Sequence, residues 1–205
     1  MVRSTIAALL ALAAASAQAQ PAVPIAPNTD TAEELQTIRQ LSACLAQSRP
    51  RWARRTLARA YLSTAQATAA SEALAGQDSC IRGPQVEVTF RNSALVAGLA
   101  EHFLRTDIQG VDFTRVEKSL LTVEPLNGSE DFALCVAARD PEAARDLSFS
   151  DPGSGAETQA AGKLARHVPA CARPGESLTV DQQSLRALMS TALYRAAGAA
   201  RSVKN

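Results

Sequence analysis

Aromatic residues are scarce in this chain: five Phe, two Tyr and one Trp, or 4% of 205 residues. With β-branched residues also few, the composition argues against an all-β fold. Beyond the N-terminus no apolar run approaches the roughly 18 residues that mark a membrane-spanning helix. A surplus of charge is missing too, since 21 basic side chains face 20 acidic ones. No nucleic-acid partner is therefore expected, because such binding calls for a basic excess. There is no C-x-x-C, H-E-x-x-H, P-loop, G-x-G-x-x-G or G-x-S-x-G motif, so no metal or cofactor is expected. What fills the space is alanine, with 42 copies. Alanine is the best helix former, and a mainly α protein follows.

The first 20 residues read as an address. Arg3 supplies a positive start, and Ile6 to Ala15 is an apolar stretch of ten residues, too short to cross a bilayer. Ala17-Gln18-Ala19 fits an A-x-A cleavage site, so residues 1–19 are expected to be a signal peptide and Gln20 the mature start. Pro21, Pro24 and Pro27 mark residues 20–30 as an extended leader. Losing Arg3 with the signal brings the chain to 20 basic and 20 acidic side chains. The expected location is periplasmic.

Export changes the meaning of the four cysteines, because an oxidising compartment permits disulfides. Cys44 and Cys80 are 36 residues apart, and so are Cys135 and Cys171. Sliding the sequence by 91 residues superposes both pairs, and it also puts Pro50 on Pro141, Ala53 on Ala144 and Arg54 on Arg145. An offset of 90 then puts Leu95 on Leu185, Leu99 on Met189, Phe103 on Leu193 and Arg105 on Arg195. The spacing points to two tandem homologous helical units, residues 31–105 and 126–205, joined by a linker over 106–125. Equal units should carry equal staples, so Cys44–Cys80 and Cys135–Cys171 are the expected pairs. Each closes a loop worth about 4 kcal/mol in the chain-entropy account.

Within the first unit, Asp30 and Glu33 have capping-box spacing ahead of Leu35, Ile38, Leu41 and Leu45 on one helical face. Pro50 starts a second helix expected over 50–62, and Ser63 or Thr64 caps a third that Gly76 ends. Val86, Val88 and Phe90 alternate with polar residues, a strand-like segment of the kind expected in each unit. Asn92 or Ser93 starts a helix carrying Leu95, Leu99 and Phe103. In the second unit Asp140-Pro141 repeats a helix start, Pro152, Gly153 and Gly155 suggest a loop, and Asp181 caps a final helix with Leu185, Leu188, Met189 and Leu193 inward. Phe113, Val116, Leu120 and Leu121 between the units fit helix or strand.

Chemistry is thinly marked. His102 and His167 are the two histidines, and a hydrolase would need one of them. The repeat places Ala192 opposite His102 and Gly76 opposite His167, and both histidines sit near helix ends, where a dipole contact accounts for them. The charged feature that stands out is the second helix. Arg51, Arg54, Arg55 and Arg59 span about 140° of arc at 100° per residue, with Trp52, Thr56, Leu57, Ala60 and Tyr61 opposite. Such a face can be a solvated surface, or it can meet an anionic membrane, an anionic polymer or an acidic partner. Since Glu142 aligns with Arg51 and Asp146 with Arg55, opposite charges could also meet across the units.

The signal-type start, the segments Cys44-Leu45-Ala46-Gln47-Ser48-Arg49-Pro50 and Cys135-Val136-Ala137-Ala138-Arg139-Asp140-Pro141, and the ending Ala192-Leu193-Tyr194-Arg195 resemble small exported proteins of sphingomonad-type alphaproteobacteria. Phe103-Leu104-Arg105 departs from that ending in the first unit. The resemblance implies export and duplication, and no activity. The leading expectation is a non-catalytic interaction or structural module of the cell envelope. The alternatives are an envelope hydrolase using His102 or His167, and a membrane-surface or anionic-polymer binder using the arginine helix. Another envelope protein or an anionic membrane surface would be the partner.

Overall fold

The computed structural model describes residues 31–75, 80, 92–107, 112–173 and 179–202. Among them ten helices form and no strand: α1 Ala32–Ser48, α2 Pro50–Leu57, α3 Thr64–Ala75, α4 Asn92–Asp107, α5 Phe113–Leu120, α6 Gly128–Arg139, α7 Pro141–Phe149, α8 Gly155–Ala165, α9 Val168–Cys171 and α10 Gln182–Ser202. The expected signal peptide and leader over 1–30, Gly76 and the alternating segment at Val86–Phe90 lie outside the described residues. Both disulfides form in the expected pairing, each with Cα atoms 5.7 Å apart.

Local chemistry sets the helix boundaries. Thr31, not Asp30, caps α1: its hydroxyl accepts from the Glu34 N–H at 3.2 Å, and the Glu34 carboxylate accepts from the Thr31 N–H at 2.6 Å. The capping box thus begins one residue later than the sequence suggested. Prolines stand at the first position of α2 and of α7, where no N–H is needed. The second helix ends at Leu57, five residues short of expectation. Beyond it the chain turns so that the Tyr61 N–H can donate to Glu130 Oε1 at 2.9 Å, while Tyr61 O accepts from Asn127 Nδ2 at 2.7 Å. Gly155 opens α8 and is not part of a loop. The segment whose structure was open between helix and strand is α5, with Val116 and Leu120 buried.

α4 and α10 pack on each other at the centre, with α1 against α4 and α6 against α10. Leu95, Leu99, Leu185, Met189 and Leu193 are fully buried there. Small residues bring the helices close. A Cβ on Gly98 would collide with Ser42, whose hydroxyl donates to Ile38 O at 2.8 Å and lies 3.2 Å from Leu95 O.

One polar cluster interrupts this apolar centre. Arg186 on α10 donates from Nε to Glu101 Oε1 at 2.6 Å and from Nη2 to Glu101 Oε2 at 3.0 Å. Its Nη1 donates to Glu157 Oε1 on α8 at 3.0 Å, and its Nη2 also reaches the Ser150 carbonyl at 2.8 Å. The side chains of Arg186, Glu101 and Glu157 are 7%, 4% and 0% exposed. Burial alone would disfavour the charged guanidinium, but the two carboxylates outweigh it and hold the proton more firmly.

The two halves share local details. Leu62 has φ 62° and Gly153 has φ 76°, 91 residues apart. The Leu62 N–H donates to Gln66 Oε1 at 3.0 Å, and the Gly153 N–H donates to Glu157 Oε2 at 2.7 Å. Ser63 accepts from the Gln66 N–H at 3.2 Å, as Ser154 does from the Glu157 N–H at 3.1 Å. Each turn also meets the helix that opens the other half. Tyr61 meets Glu130 on α6, and Asp151 meets Arg39 on α1 at 3.1 Å.

Left-handed φ strains a leucine by about 1–2 kcal/mol and a glycine not at all. Leu62→Gly should therefore raise stability by up to about 1 kcal/mol. Gly153→Ala should lower it by about 1–2 kcal/mol or more, since its Cβ would also collide with Ala32. Denaturant unfolding measures both, and equal signs would refute the assignment. Arg186→Met leaves Glu157 buried without a cation and Glu101 with only Arg39 and Arg105, and should destabilise by about 3–5 kcal/mol. Glu157→Gln keeps the acceptor for Gly153, as Gln66 does for Leu62, and should lower stability by only about 1–2 kcal/mol. The same unfolding experiment ranks the two, and an equal or reversed ranking would contradict it.

Candidate functional site

α2 is short, and its inner side is spent on the core: Ala53, Thr56 and Leu57 are buried. Its outward side carries the arginines. Arg51 and Arg55 are exposed and one turn apart, and Arg59 follows in the turn after the helix, also exposed. Arg59 donates to the Ala65 carbonyl. Among the described residues no salt bridge engages Arg51 or Arg55. Arg49 lies 6.0 Å from the centre of the half-buried Trp52 ring.

Arg54 does not share this role. It donates to Asp107 Oδ2 at 2.5 Å, and its guanidinium stands 4.2 Å over the Phe103 ring. Burial disfavours the Asp107 carboxylate, yet Arg54 and then Arg201 outweigh it and hold the acid below its ordinary range. Arg54 thus ties α2 to the end of α4, and three of the four expected arginines remain as an open edge.

The charge pairing expected between Arg51 and Glu142 and between Arg55 and Asp146 does not occur among the described residues. The Asp146 carboxylate instead lies 3.7 Å from Arg145 on its own helix. Charges that do cross between the halves are Arg186 with Glu101, Arg39 with Asp151, and Arg201 with Asp107. Arg51, Arg55, Glu142 and Asp146 are all exposed, so α2 and α7 turn these charges to water and not to one another.

His102 sits half-buried on α4, edge-on to Phe103 with ring centres 5.5 Å apart. Burial pushes it below the usual imidazole value, with Asp107 opposing. It lines a groove with Arg39, Arg105 and two glutamines, and among the described residues no hydroxyl or carboxylate lines that groove. His167 stands between α8 and α9, at the N-terminal end of α9, where its side chain makes no capping bond. Among the described residues no group of three or more His, Cys, Asp or Glu could hold a metal ion. No described helix is long and apolar enough to cross a membrane.

A second cavity, about 490 Å³, opens beside the second disulfide and is lined by Leu62, Phe132, Val180 and Leu188 with Asp131 and Arg173. Sequence reasoning missed the Glu101–Arg186–Glu157 cluster altogether. A signal was present: Arg186 follows Leu185 directly and lies three residues before Met189, inside an otherwise apolar helical face, and Glu101 falls between Leu99 and Phe103. Charged residues at core positions demand partners.

Comparison of the chain with protein-family models, with curated proteins and with solved structures found no match. A functional reading therefore rests on the residues and their geometry.

Proposed function

We propose that the protein is exported to the periplasm, is built from two homologous helical units, and serves as a non-catalytic interaction module of the cell envelope. Its contact surface is the edge of α2 formed by Arg51, Arg55 and Arg59, and its partner is anionic.

The arginine row carries this reading: among the described residues no acid pairs with Arg51, Arg55 or Arg59. Arg51 occupies the first turn of α2, where the helix dipole disfavours a cation. Arg55 follows at i+4, a like-charge spacing that costs about 0.2–0.5 kcal/mol. Nothing in the fold requires either charge, whereas Arg54 on the same helix has an acid and a ring to meet. A surface that is unfavourable for its own helix is understandable if something negative covers it. Because the apolar side of α2 is already buried against the core, no apolar face is left to enter a lipid layer. An acidic polymer or protein surface fits better than a bilayer.

Support for export comes from the leader sequence and from the two disulfides, which suit an oxidising compartment. Support for duplication comes from the shared left-handed turn, the serine caps at 63 and 154, the paired side chains of Gln66 and Glu157, and the first-position prolines at 50 and 141. The Glu157–Arg186 pair replaces Gln66 and Val96 of the first unit, so the copies have diverged together at two touching positions.

Periplasmic extract should contain a chain that starts at Gln20 and is four hydrogens lighter than its reduced form by mass spectrometry. Retention of the uncleaved start in the cytoplasm would contradict export. The mature protein should bind immobilised heparin, used as a generic polyanion, and elute with salt. Arg51→Glu with Arg55→Glu should weaken that binding by about tenfold at low salt without lowering the melting temperature. Identical elution of variant and wild type would remove α2 as the contact surface, and binding confined to anionic vesicles would replace the polymer with a lipid surface.

A further inference from the structure

A groove of about 260 Å³ runs between α1 and α4, away from the outward edge of α2. Gln36, Arg39 and Gln40 form one wall, and His102 and Arg105 form the other. Its floor is low because it is made of Ala43 and Gly98. The walls offer two guanidiniums, an imidazole and two carboxamides, and among the described residues no carboxylate. Among the described residues the side chains of Gln36, Gln40 and His102 make no hydrogen bond, so their donors are open to a ligand.

Charge beneath the groove is unbalanced. Glu101 lies 3.6 Å from Arg39 and 3.4 Å from Arg105 and also takes the two bonds from Arg186. Glu157 is the other buried carboxylate of the cluster. Three guanidiniums thus share two buried negative charges. Asp151, which bonds Arg39, is 87% exposed, and water screens its charge. The surplus positive charge lies toward the groove, because Arg39 and Arg105 are 18% and 29% exposed whereas Arg186 is 7% exposed. Burial and the neighbouring Arg39 depress Arg105, a further sign of crowded cations.

We infer that the groove between α1 and α4 binds the oxyanion group, carboxylate or phosphate, of a small anionic ligand. Arg39 and Arg105 are held in place by Glu101, Asp151 and the Ser148 and Phe149 carbonyls. They offer such a group positive charge and their remaining N–H donors, and the imidazole and carboxamides can meet its other lone pairs. An anion neutralises the surplus; a neutral ligand of the same size does not. The volume suits a single acidic sugar or a phosphate ester and is too small for a larger ligand. The assignment does not depend on α2, since it uses neither Arg51 nor Arg55.

The mature, oxidised protein can be titrated by NMR with inorganic phosphate and, separately, with glucuronate, each against sodium chloride at matched ionic strength. Side-chain signals of Gln36, Gln40 and His102 should shift saturably with at least one of them. The tighter arm identifies phosphate or carboxylate. Gln40→Glu, an exposed helical position, should weaken binding by about tenfold or more while leaving the backbone spectrum intact. Arg51→Glu with Arg55→Glu should leave it unchanged. Shifts no larger than those from chloride would overturn the site, as would saturable shifts that Gln40→Glu does not weaken or that are confined to α2.

Discussion

Arg186 is the interaction on which the rest of this structure depends. A guanidinium that is 7% exposed must find acids, and it finds one on each side: Glu101 on α4 and Glu157 on α8. Those acids lie in different halves of the chain. Removing Arg186 leaves Glu157 without a cation in an apolar centre, where the penalty is severe. The cluster therefore fixes how α10 lies against α4, and through α4 it fixes α1. It is weak as a source of raw stability and strong as a constraint on register, because an apolar interface of alanines alone would tolerate sliding.

That tolerance follows from the composition. Small side chains let α1, α4 and α10 approach closely, as Gly98 against Ser42 shows, but they bury little area each. Two features make up for it. The disulfides limit the unfolded chain, and the polar cluster selects one packing among many. The same crowding of arginines that holds the core leaves excess positive charge at the α1–α4 groove, so the structural device and the binding surface share residues.

Much of the fold was legible in the sequence. Equal cysteine spacing gave the disulfide pairing, prolines at 50 and 141 gave two helix starts, and Asp181 caps α10 as its position implied, accepting from the Ser184 N–H at 2.6 Å. Periodicity placed Leu95, Leu99, Phe103, Leu185, Met189 and Leu193 inward, where they lie. The end of α2 was not legible, because Tyr61 and Leu62 are held by Glu130, Asn127 and Gln66, and the first two of these are distant in sequence. Local propensity favoured continuing the helix, and tertiary hydrogen bonds overrode it. The candidate site was half legible. Arg51 and Arg55 are exposed as expected, but Arg54 was grouped with them because arc position cannot reveal an acid fifty-three residues away. Glu101, Glu157 and Arg186 were passed over because their pairing is long-range.

If Arg186 joins the two halves of the chain, they must unfold together. Differential scanning calorimetry of the mature, oxidised protein tests this most directly, through the ratio of van't Hoff to calorimetric enthalpy. A single transition with a ratio near one is the predicted result. Two resolved transitions, one for each half, would contradict it.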